Sequence, residues 1–339
     1  MIAFIFPGQG SQHVGMGKAL ADQFPVARRT FDEADAAFAA VDGHVHEIEP
    51  ADADRPLAEQ RRGRPRLLSE LCFEGPESDL GLTEITQPAI LTASVAAYRV
   101  LAEQGVRPDF LAGHSLGEYS AHVAAGTFAF TDAVALVRRR GRYMQEAVPV
   151  GSGAMAAILG GDLAAIEQAC TESAQGEIVS PANINCPGQV VIAGHTAAVQ
   201  RAVDRAKALG ARRARMLAVS APFHCGLMKA AEQRLEPELR ALTTVDPAVP
   251  VVANVDAEPK HDGAASIEAL VRQVSAPVRW EDVVRRLASA GVSTYVEVGP
   301  GNVLSGLVKK IHPDAQVLTF GSPENLDAIV AACSISAEK

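Results

Sequence analysis

The stretch PDFLAGHSLGEYSAHVAAG, residues 108–126, constrains the fold of this chain more than any other feature. Its apolar start predicts a strand, its end predicts a helix, and the pattern G-x-S-x-G from Gly113 to Gly117 predicts a tight turn between them. Small residues flank such a strained turn, and the hydroxyl of Ser115 then stands clear of the backbone. Ser115 is therefore a candidate nucleophile, and the free N–H groups of the following helix are candidate donors to an oxyanion. The alternative is a glycine-rich bend without chemistry.

Hydrophobic patterns along the rest of the chain predict an α/β protein with two units. Strand-like and helical segments alternate up to about residue 150 and again after about residue 218. Between them, from Gly153, the order β-α-β-β-α-β within about 65 residues predicts a ferredoxin-like unit. We interpret this unit, residues 151–217, as a small domain inserted into a larger α/β domain. The large domain comprises residues 1–150 and 218–325, and residues 326–339 form a C-terminal tail.

Composition and charge restrict the classes of function. The net charge of −9 argues against general nucleic-acid binding, although local positive charge can still bind a small anion. No apolar run reaches the length of a membrane span, and the start MIAFIFPGQG has no basic leader and too short an apolar stretch for a signal peptide. The five cysteines lie far apart without a C-x-x-C pair, which predicts free thiols in a reducing cytoplasm.

A serine nucleophile needs a base, and His224 is the best placed of the nine histidines. It lies at the end of the apolar run LAVSAPFHC, where the chain returns from the small domain to the large one. In hydrolase-like folds the histidine likewise follows the serine in sequence. The alternative is a buried histidine with a purely structural role. No acidic residue stands out as the third member, which leaves a backbone carbonyl to orient the ring.

The helical stretch TDAVALVRRRGRYMQEA, residues 131–147, carries an arginine on its apolar face. Arg140 falls on the apolar stripe, whereas Arg138, Arg139 and Arg142 are expected nearer to solvent. A guanidinium on a buried face needs an anion, because an unpaired buried charge is costly. That anion is either a structural Asp or Glu, or the carboxylate of a substrate held by a bidentate clamp.

Two segments resemble nucleotide-, DNA- or metal-binding motifs, but their residues argue against binding of these kinds. FPGQGSQ, residues 6–12, lacks the glycines of a dinucleotide loop or a Walker A motif, so we exclude nucleotide binding in those modes. The segment can still offer an N–H group to an oxyanion. Residues 42–66 form a polar, proline-bearing excursion that contains RRGRPR, similar to the core of an AT-hook, and HVHEIE, which mimics metal-ligand spacing. One short basic copy on an acidic chain and an incomplete ligand set favour a solvated loop, without DNA and without a metal.

Six motifs occur along nearly the whole chain in the order seen in malonyl-CoA:acyl carrier protein transacylases, and the chain resembles that family. These motifs are FPGQGSQ, GHSLGEYSA, RRRGRYMQEAVP, APFHCGLM, VRQVSAPVRW and VEVGPGNVLSGL. The resemblance implies a hydrolase-like α/β domain with a mostly parallel sheet that carries the ferredoxin-like insert.

The resemblance also implies roles for the catalytic residues. Ser115 is the acylated nucleophile and His224 its base, while the backbone amides of Gln9 and Leu116 form the oxyanion hole. The main-chain carbonyl of Gln273 orients His224 where other hydrolases use an aspartate, which agrees with the missing acid.

Substrate selection is implied at two further positions. Arg140, which lies 25 residues after Ser115 as in the family, holds the free carboxylate of a malonyl group. Phe223 precedes the catalytic histidine. Family members that serve fatty-acid synthesis often have serine there, whereas malonyl-selective polyketide acyltransferases often have phenylalanine. Both pathways therefore stay open.

The implied activity is a two-step transfer of a malonyl group from coenzyme A to the phosphopantetheine thiol of acyl carrier protein. The partners are thus acyl carrier protein and a coenzyme A thioester. No metal, redox cofactor, membrane or nucleic acid is implied, and we expect a cytoplasmic monomer. Two alternatives are an acyl hydrolase on the same fold and a non-enzymatic protein that docks carrier protein or DNA. Arg140 argues against the first, and an intact Ser115–His224 pair argues against the second.

Overall fold

The computed structural model of the protein describes residues 1–41, 66–217, 219 and 221–336. HVHEIE and all of RRGRPR except its last residue lie outside the described residues, so the metal and DNA hypotheses attached to them stay sequence-based hypotheses. The strands are β1 (Ile2–Phe6), β2 (Phe110–Gly113), β3 (Gly153–Leu159), β4 (Val179–Cys186), β5 (Gln189–His195), β6 (Arg213–Met216), β7 (Val251–Val252), β8 (Pro259–Lys260), β9 (Thr294–Val298) and β10 (Gln316–Phe320).

The helices of the described residues are numbered in chain order. They are α1 (Lys18–Gln23), α2 (Pro25–Ala40), α3 (Leu68–Glu74), α4 (Glu77–Leu80), α5 (Thr83–Glu103), α6 (Leu116–Ala124), α7 (Phe130–Glu146), α8 (Leu163–Ser173), α9 (Thr196–Ala208), α10 (Lys229–Arg240), α11 (Gly263–Gln273), α12 (Trp280–Ser289), α13 (Val303–Ile311) and α14 (Leu326–Ser336). Single 3₁₀ turns occur at Gly226–Met228 and Pro323–Asn325.

The larger sheet has the strand order β10-β9-β1-β2-β7-β8, and all neighbouring strands are parallel except β7 and β8. The central strands β1 (IAFIF) and β9 (TYVEV) are buried at every position, because helices cover both faces of the sheet. Helices α2, α5 and α7 pack on one face, and α12 and α13 pack on the other. The predicted α/β class with a mostly parallel sheet is confirmed.

The second sheet is antiparallel and has the strand order β4-β5-β3-β6. Along the chain its elements run β3, α8, β4, β5, α9, β6. Helices α8 and α9 pack on one face through small apolar residues such as Ala169 and Ala202. On the other face, Met155 and Val191 pack against Cys225 of the larger unit. The backbone of Val278 also joins the two units. Its N–H donates to the carbonyl of Ala182, and its carbonyl accepts from the N–H of Ile184, both in β4.

The topology gathers three loops at one edge of the larger sheet. Strands β1, β2 and β7 are parallel neighbours, so their carboxyl ends lie side by side. In such sheets ligands bind in the crevice beyond these ends. The segments that follow carry Gln9, Ser115 and Asn254, respectively.

None of the helices in the described part of the chain combines the length and the apolar character that crossing a membrane requires. The five cysteines are buried and free, as their spacing predicted: Cys72, Cys170, Cys186, Cys225 and Cys333.

Candidate active site

Ser115 lies in a strained turn between β2 and α6. Its φ of 51° falls in the left-handed region, which is unfavourable for a residue with a side chain. Both flanking glycines are required by close backbone contacts. A Cβ on Gly113 would lie 2.0 Å from the carbonyl of Gly117, and a Cβ on Gly117 would lie 2.0 Å from the carbonyl oxygen of Phe6. The G-x-S-x-G pattern thus has a steric cause, and the turn holds the serine at the start of a helix.

Ser115 and His224 form a hydrogen-bonded pair. Ser115 Oγ lies 2.6 Å from Nε2 of His224, and Nδ1 of the same ring lies 3.0 Å from the backbone carbonyl oxygen of Gln273. A carbonyl oxygen only accepts, so Nδ1 carries the proton and Nε2 is free to accept the proton of the serine hydroxyl. Burial lowers the pKa of His224 to about 3, and the positive charge of Arg140 lowers it as well. The ring is therefore neutral near pH 7 and able to act as a base.

Of the two residues expected to supply oxyanion donors, one follows the serine directly and the other lines its pocket. Leu116 is the first residue of α6, where backbone N–H groups have no acceptor within the helix. Gln9 follows β1 in the neighbouring loop and lines the same pocket as Ser115. Its side chain reaches away to Thr83, with Nε2 3.4 Å from Oγ1. Leu116 thus adjoins the nucleophile in the chain, and Gln9 lies in the wall of the same pocket.

Arg140 is 1% exposed and is held by neutral oxygen atoms. Nη1 donates to Oε1 of Gln87 at 2.7 Å, and Nη2 donates to Oε1 of Gln273 at 2.9 Å and to Oγ of Ser115 at 3.2 Å. The ring of Tyr119 lies 5.1 Å from the guanidinium carbon. Among the described residues no Asp or Glu forms an ion pair with Arg140. Its guanidinium therefore lies beside the hydroxyl of Ser115 and is able to form an ion pair with the carboxylate of a substrate.

The neighbouring arginine contradicts the sequence-based expectation. Arg138 was expected nearer to solvent, but it is only 7% exposed. Its guanidinium stacks 3.7 Å from the ring centre of Phe38 and donates to the backbone carbonyl of that residue. The expectation is wrong because α2 packs across this face of α7, a contact that the periodicity of α7 alone does not reveal.

Asn254 braces the turn and was not found from the sequence. Its Oδ1 accepts from the backbone N–H of Ser115 at 2.7 Å, and its Nδ2 donates to the carbonyl of Gly113 at 2.7 Å. One side-chain amide thus satisfies two buried backbone groups of the turn. The available signal was its position, since it follows the apolar run VPVV at the carboxyl end of a predicted strand.

Glu118 was also missed, although it directly follows Gly117 of the turn motif. Its carboxylate is fully buried, and Oε2 accepts from the backbone N–H of Asn254 at 3.0 Å and from Nε2 of Gln273 at 2.8 Å. Nε2 of Gln273 also donates to the carbonyl of Ser115 at 2.9 Å. Burial raises the pKa of Glu118 to about 7, while these N–H donors oppose the rise. The available signal was that Glu118 is the only Asp, Glu, Lys or Arg in residues 110–131.

A pocket of about 300 Å³ opens between the two units at this point. Phe223, predicted to select the substrate, lies in its wall next to His224 and is partly buried. The smaller sheet contributes Asn183 and Asn185, and Asn185 Oδ1 lies 3.0 Å from Nε2 of His114. Within the described residues there is no cluster of three or more metal-binding side chains. Ser115 and His224 both line this pocket.

A serine at a strained strand–helix turn, a neutral histidine on its hydroxyl and an unpaired arginine beside it define a serine-dependent acyltransferase. The model of the acyl transferase domain family matches residues 3–332. The chain belongs to this family, and the family resemblance predicted from the motifs is confirmed.

Individual relatives are similar over their full length. The malonyl CoA-acyl carrier protein transacylase of Escherichia coli (strain K12) is 48% identical, with 98% of this chain and 99% of the relative covered. A crystal structure of an acyl carrier protein S-malonyltransferase from Vibrio cholerae is 45% identical, with a TM-score of 0.87 and coverage of 97% and 99%. A malonyl-transacylase in complex with its type II polyketide acyl carrier protein is also 45% identical, with a TM-score of 0.87 and coverage of 98% and 99%.

Proposed function

We propose that this chain transfers a malonyl group from malonyl-CoA to the phosphopantetheine thiol of acyl carrier protein. One observation carries the proposal: Nη2 of Arg140, which has no ion-pair partner among the described residues, lies 3.2 Å from the Oγ of Ser115. When a malonyl group is esterified to Ser115, the carbon of its free carboxylate is two atoms from the ester carbonyl carbon. The carboxylate then lies beside the guanidinium of Arg140. The names of relatives at 46% and 48% identity agree with the activity predicted from the sequence.

In the first half-reaction, Ser115 attacks the thioester carbonyl of malonyl-CoA. His224 Nε2 takes the hydroxyl proton, and the backbone N–H groups of Gln9 and Leu116 stabilise the oxyanion. The C–S bond breaks when the tetrahedral intermediate collapses, and the imidazolium returns its proton to the coenzyme A thiolate. The Gln273 carbonyl keeps Nδ1 protonated, so the same ring nitrogen handles both proton transfers.

In the second half-reaction, the phosphopantetheine thiol attacks the malonyl-serine ester. His224 Nε2 removes the thiol proton and then delivers it to Ser115 Oγ as the C–O bond breaks. The products are malonyl carrier protein and the free enzyme, which makes the cycle a ping-pong transfer. None of these steps calls on a metal or a redox cofactor.

Two residues set the preference for malonyl. Arg140 forms a charge-assisted bidentate contact with the malonyl carboxylate. Phe223 stands beside the base and leaves little room for a substituent on the carbon between the two carbonyl groups. Phenylalanine at this position is compatible with both fatty-acid and polyketide synthesis.

The order β6-β3-β5-β4 within the smaller sheet supports a finer description of the fold. We assign a ferredoxin-like domain to residues 151–217 and a hydrolase-like domain to 1–150 and 218–325, followed by the tail 326–339. The partner is an acyl carrier protein, as in the complex of the related malonyl-transacylase, and the enzyme acts as a monomer. A cytoplasmic location agrees with the five free cysteines.

The proposal is tested by incubating the enzyme with malonyl-CoA and measuring its intact mass. We expect one malonyl group on Ser115, released to holo carrier protein when that protein is added. Ser115→Ala is the control and should give neither adduct nor transfer. If the adduct forms but is lost to water as free malonate faster than it moves to carrier protein, the enzyme is the hydrolase of the alternative hypothesis.

A further inference from the structure

Arg140 raises an electrostatic question that the proposed reaction does not answer. The guanidinium is buried, and before substrate binds no carboxylate of the described residues pairs with it directly. Removing such a charge from water is costly unless an opposite charge lies nearby. Neutral amide oxygens of Gln87 and Gln273 accept from Nη1 and Nη2 but carry no net charge, and Nε of Arg140 is buried without a hydrogen-bond partner among the described residues.

A carboxylate lies one amide away. Glu118 Oε2 accepts from Nε2 of Gln273 at 2.8 Å, and Oε1 of the same amide accepts from Nη2 of Arg140 at 2.9 Å. The three side chains form a hydrogen-bonded chain from the positive to the negative charge. The dipole of the central amide is aligned with that field, which strengthens both of its hydrogen bonds.

The direction of the Gln273 amide is determined by its neighbours. Its Nε2 faces two acceptors, the Glu118 carboxylate and the carbonyl of Ser115, while its Oε1 faces a donor, Arg140. The reversed amide would set an oxygen against two oxygens and an N–H against an N–H. The amide is thereby locked with its carbonyl towards the guanidinium.

We propose that Glu118 is a positioning residue that serves as the resident counter-charge of Arg140, held one amide away so that the guanidinium stays open to the substrate carboxylate. A direct ion pair would occupy the donors that the substrate needs. With the Gln273 amide between the two charges, Glu118 stabilises the buried guanidinium in the absence of substrate. The N–H groups of Arg140 can then exchange a neutral acceptor for the substrate carboxylate. This role rests on the proposed function, because it assumes that Arg140 binds the carboxylate of the acyl group.

The arrangement has a measurable consequence for binding. A malonyl carboxylate at Arg140 adds a second negative charge near Glu118, and the two like charges repel each other. Glu118→Gln keeps an acceptor oxygen for both N–H donors but removes the charge. The variant should therefore bind malonyl-CoA more tightly, while its affinity for acetyl-CoA, which has no free carboxylate, should stay the same.

The test measures the Kd of malonyl-CoA and acetyl-CoA by calorimetry in Ser115→Ala protein, where no turnover occurs. The measurements are made at about pH 8, above the raised pKa of Glu118, so that the carboxylate is ionised. Adding Glu118→Gln should lower the ratio of the malonyl-CoA Kd to the acetyl-CoA Kd by about 10-fold, the scale of a partly screened Coulomb interaction. An unchanged or higher ratio would overturn the counter-charge role.

Glu297→Gln is the control for the loss of a buried carboxylate. Glu297 is also fully buried, but each of its two oxygens accepts one backbone N–H, from Leu304 and from Ser305 at the start of α13, so Gln replaces one acceptor and the variant is first checked for folding. The Kd ratio should not change in this variant, and a shift equal to that of Glu118→Gln would assign the effect to the loss of any buried carboxylate. The proposed function itself is tested by adding Arg140→Ala to Ser115→Ala protein. If the ratio of the malonyl-CoA Kd to the acetyl-CoA Kd did not change, the proposed function would fail instead.

A double variant covers the case in which Glu118→Gln alone does not fold. Glu118→Gln leaves Arg140 as an uncompensated buried charge, and adding Arg140→Met removes that charge as well. The double variant should therefore show a cooperative urea-unfolding transition where Glu118→Gln alone shows none, or a higher unfolding midpoint where the single variant folds. A double variant that is no more stable than the single one would show that the two charges do not compensate each other.

Discussion

The backbone carbonyl oxygen of Gln273 lies 3.0 Å from Nδ1 of His224, at the place where a catalytic triad has a carboxylate. This contact selects the tautomer and orients the ring without adding a negative charge. The imidazolium formed during the reaction is therefore less stabilised than beside an aspartate. Since Arg140 adds a positive charge on the other side, both features keep the resting histidine neutral.

The first prediction concerns the acid side of the pH profile. Burial lowers the pKa of His224 to about 3, so the base stays unprotonated as the pH falls from 8 to about 5. The rate of serine acylation at saturating malonyl-CoA should stay within about 2-fold over this range. A histidine with the ordinary pKa of about 6.5 would be about 30-fold less available at pH 5. Rapid-quench measurement of the acyl-enzyme from pH 5 to 8 distinguishes the two, and a decline centred near pH 6.5 would contradict the assignment.

The second prediction is that Arg140→Ala selectively impairs malonyl transfer. A charge-assisted bidentate contact in a desolvated site contributes roughly 3–4 kcal/mol, which corresponds to roughly 100- to 1,000-fold in kcat/KM. Acetyl transfer should decrease far less, because acetyl has no carboxylate. Steady-state kinetics with both coenzyme A esters check this prediction. Equal losses on the two substrates in a folded variant would show that Arg140 has only a structural role.

The third prediction concerns the choice between malonyl and methylmalonyl. Phe223 lies in the pocket wall beside His224, where a methyl group on the central carbon of the substrate would need room. Discrimination by one methyl group is about 1–3 kcal/mol, so the wild type should prefer malonyl by roughly 10- to 200-fold. Phe223→Ser should narrow this preference and keep the Ser115–His224 chemistry. Competition kinetics with both esters give the ratio of kcat/KM values, and an unchanged ratio would rule out steric selection by Phe223.

The fourth prediction concerns Asn254, which braces the strained turn. Asn254→Leu leaves the N–H of Ser115 and the carbonyl of Gly113 without their partner, at about 1–3 kcal/mol for each buried group. The free energy of unfolding in urea should fall by about 2–6 kcal/mol, and acylation by malonyl-CoA and acetyl-CoA should slow by the same factor.

Asn325→Ala is a suitable comparison for Asn254. Asn325 Nδ2 donates to the carbonyl of Thr319 at 3.2 Å in an exposed position, so its loss should change the free energy of unfolding by less than about 0.5 kcal/mol. If Asn254→Leu were as mild, or impaired malonyl transfer alone, the bracing role would be wrong.

The sequence by itself determined the features that depend on neighbouring residues. The strand–turn–helix around Ser115 could be predicted because two close backbone contacts require glycine at positions 113 and 117. One contact is within the turn and the other is with the neighbouring strand β1. Hydrophobic periodicity showed Arg140 on a buried face, and the order of motifs identified the family. Each of these signals is local, or is a sum of local signals in a fixed order.

Only the tertiary structure decided which polar groups meet around the nucleophile. Asn254 reaches Ser115 across 139 residues, and the side chain of Gln273 reaches the carbonyl of Ser115 across 158. Arg138 was misplaced for the same reason, since its partner Phe38 lies 100 residues away on α2. Hydrophobic patterning specifies which face of a helix is buried, but not which distant residue covers it. Which donor meets which acceptor is fixed only when the parallel strands pack and their carboxyl ends come together.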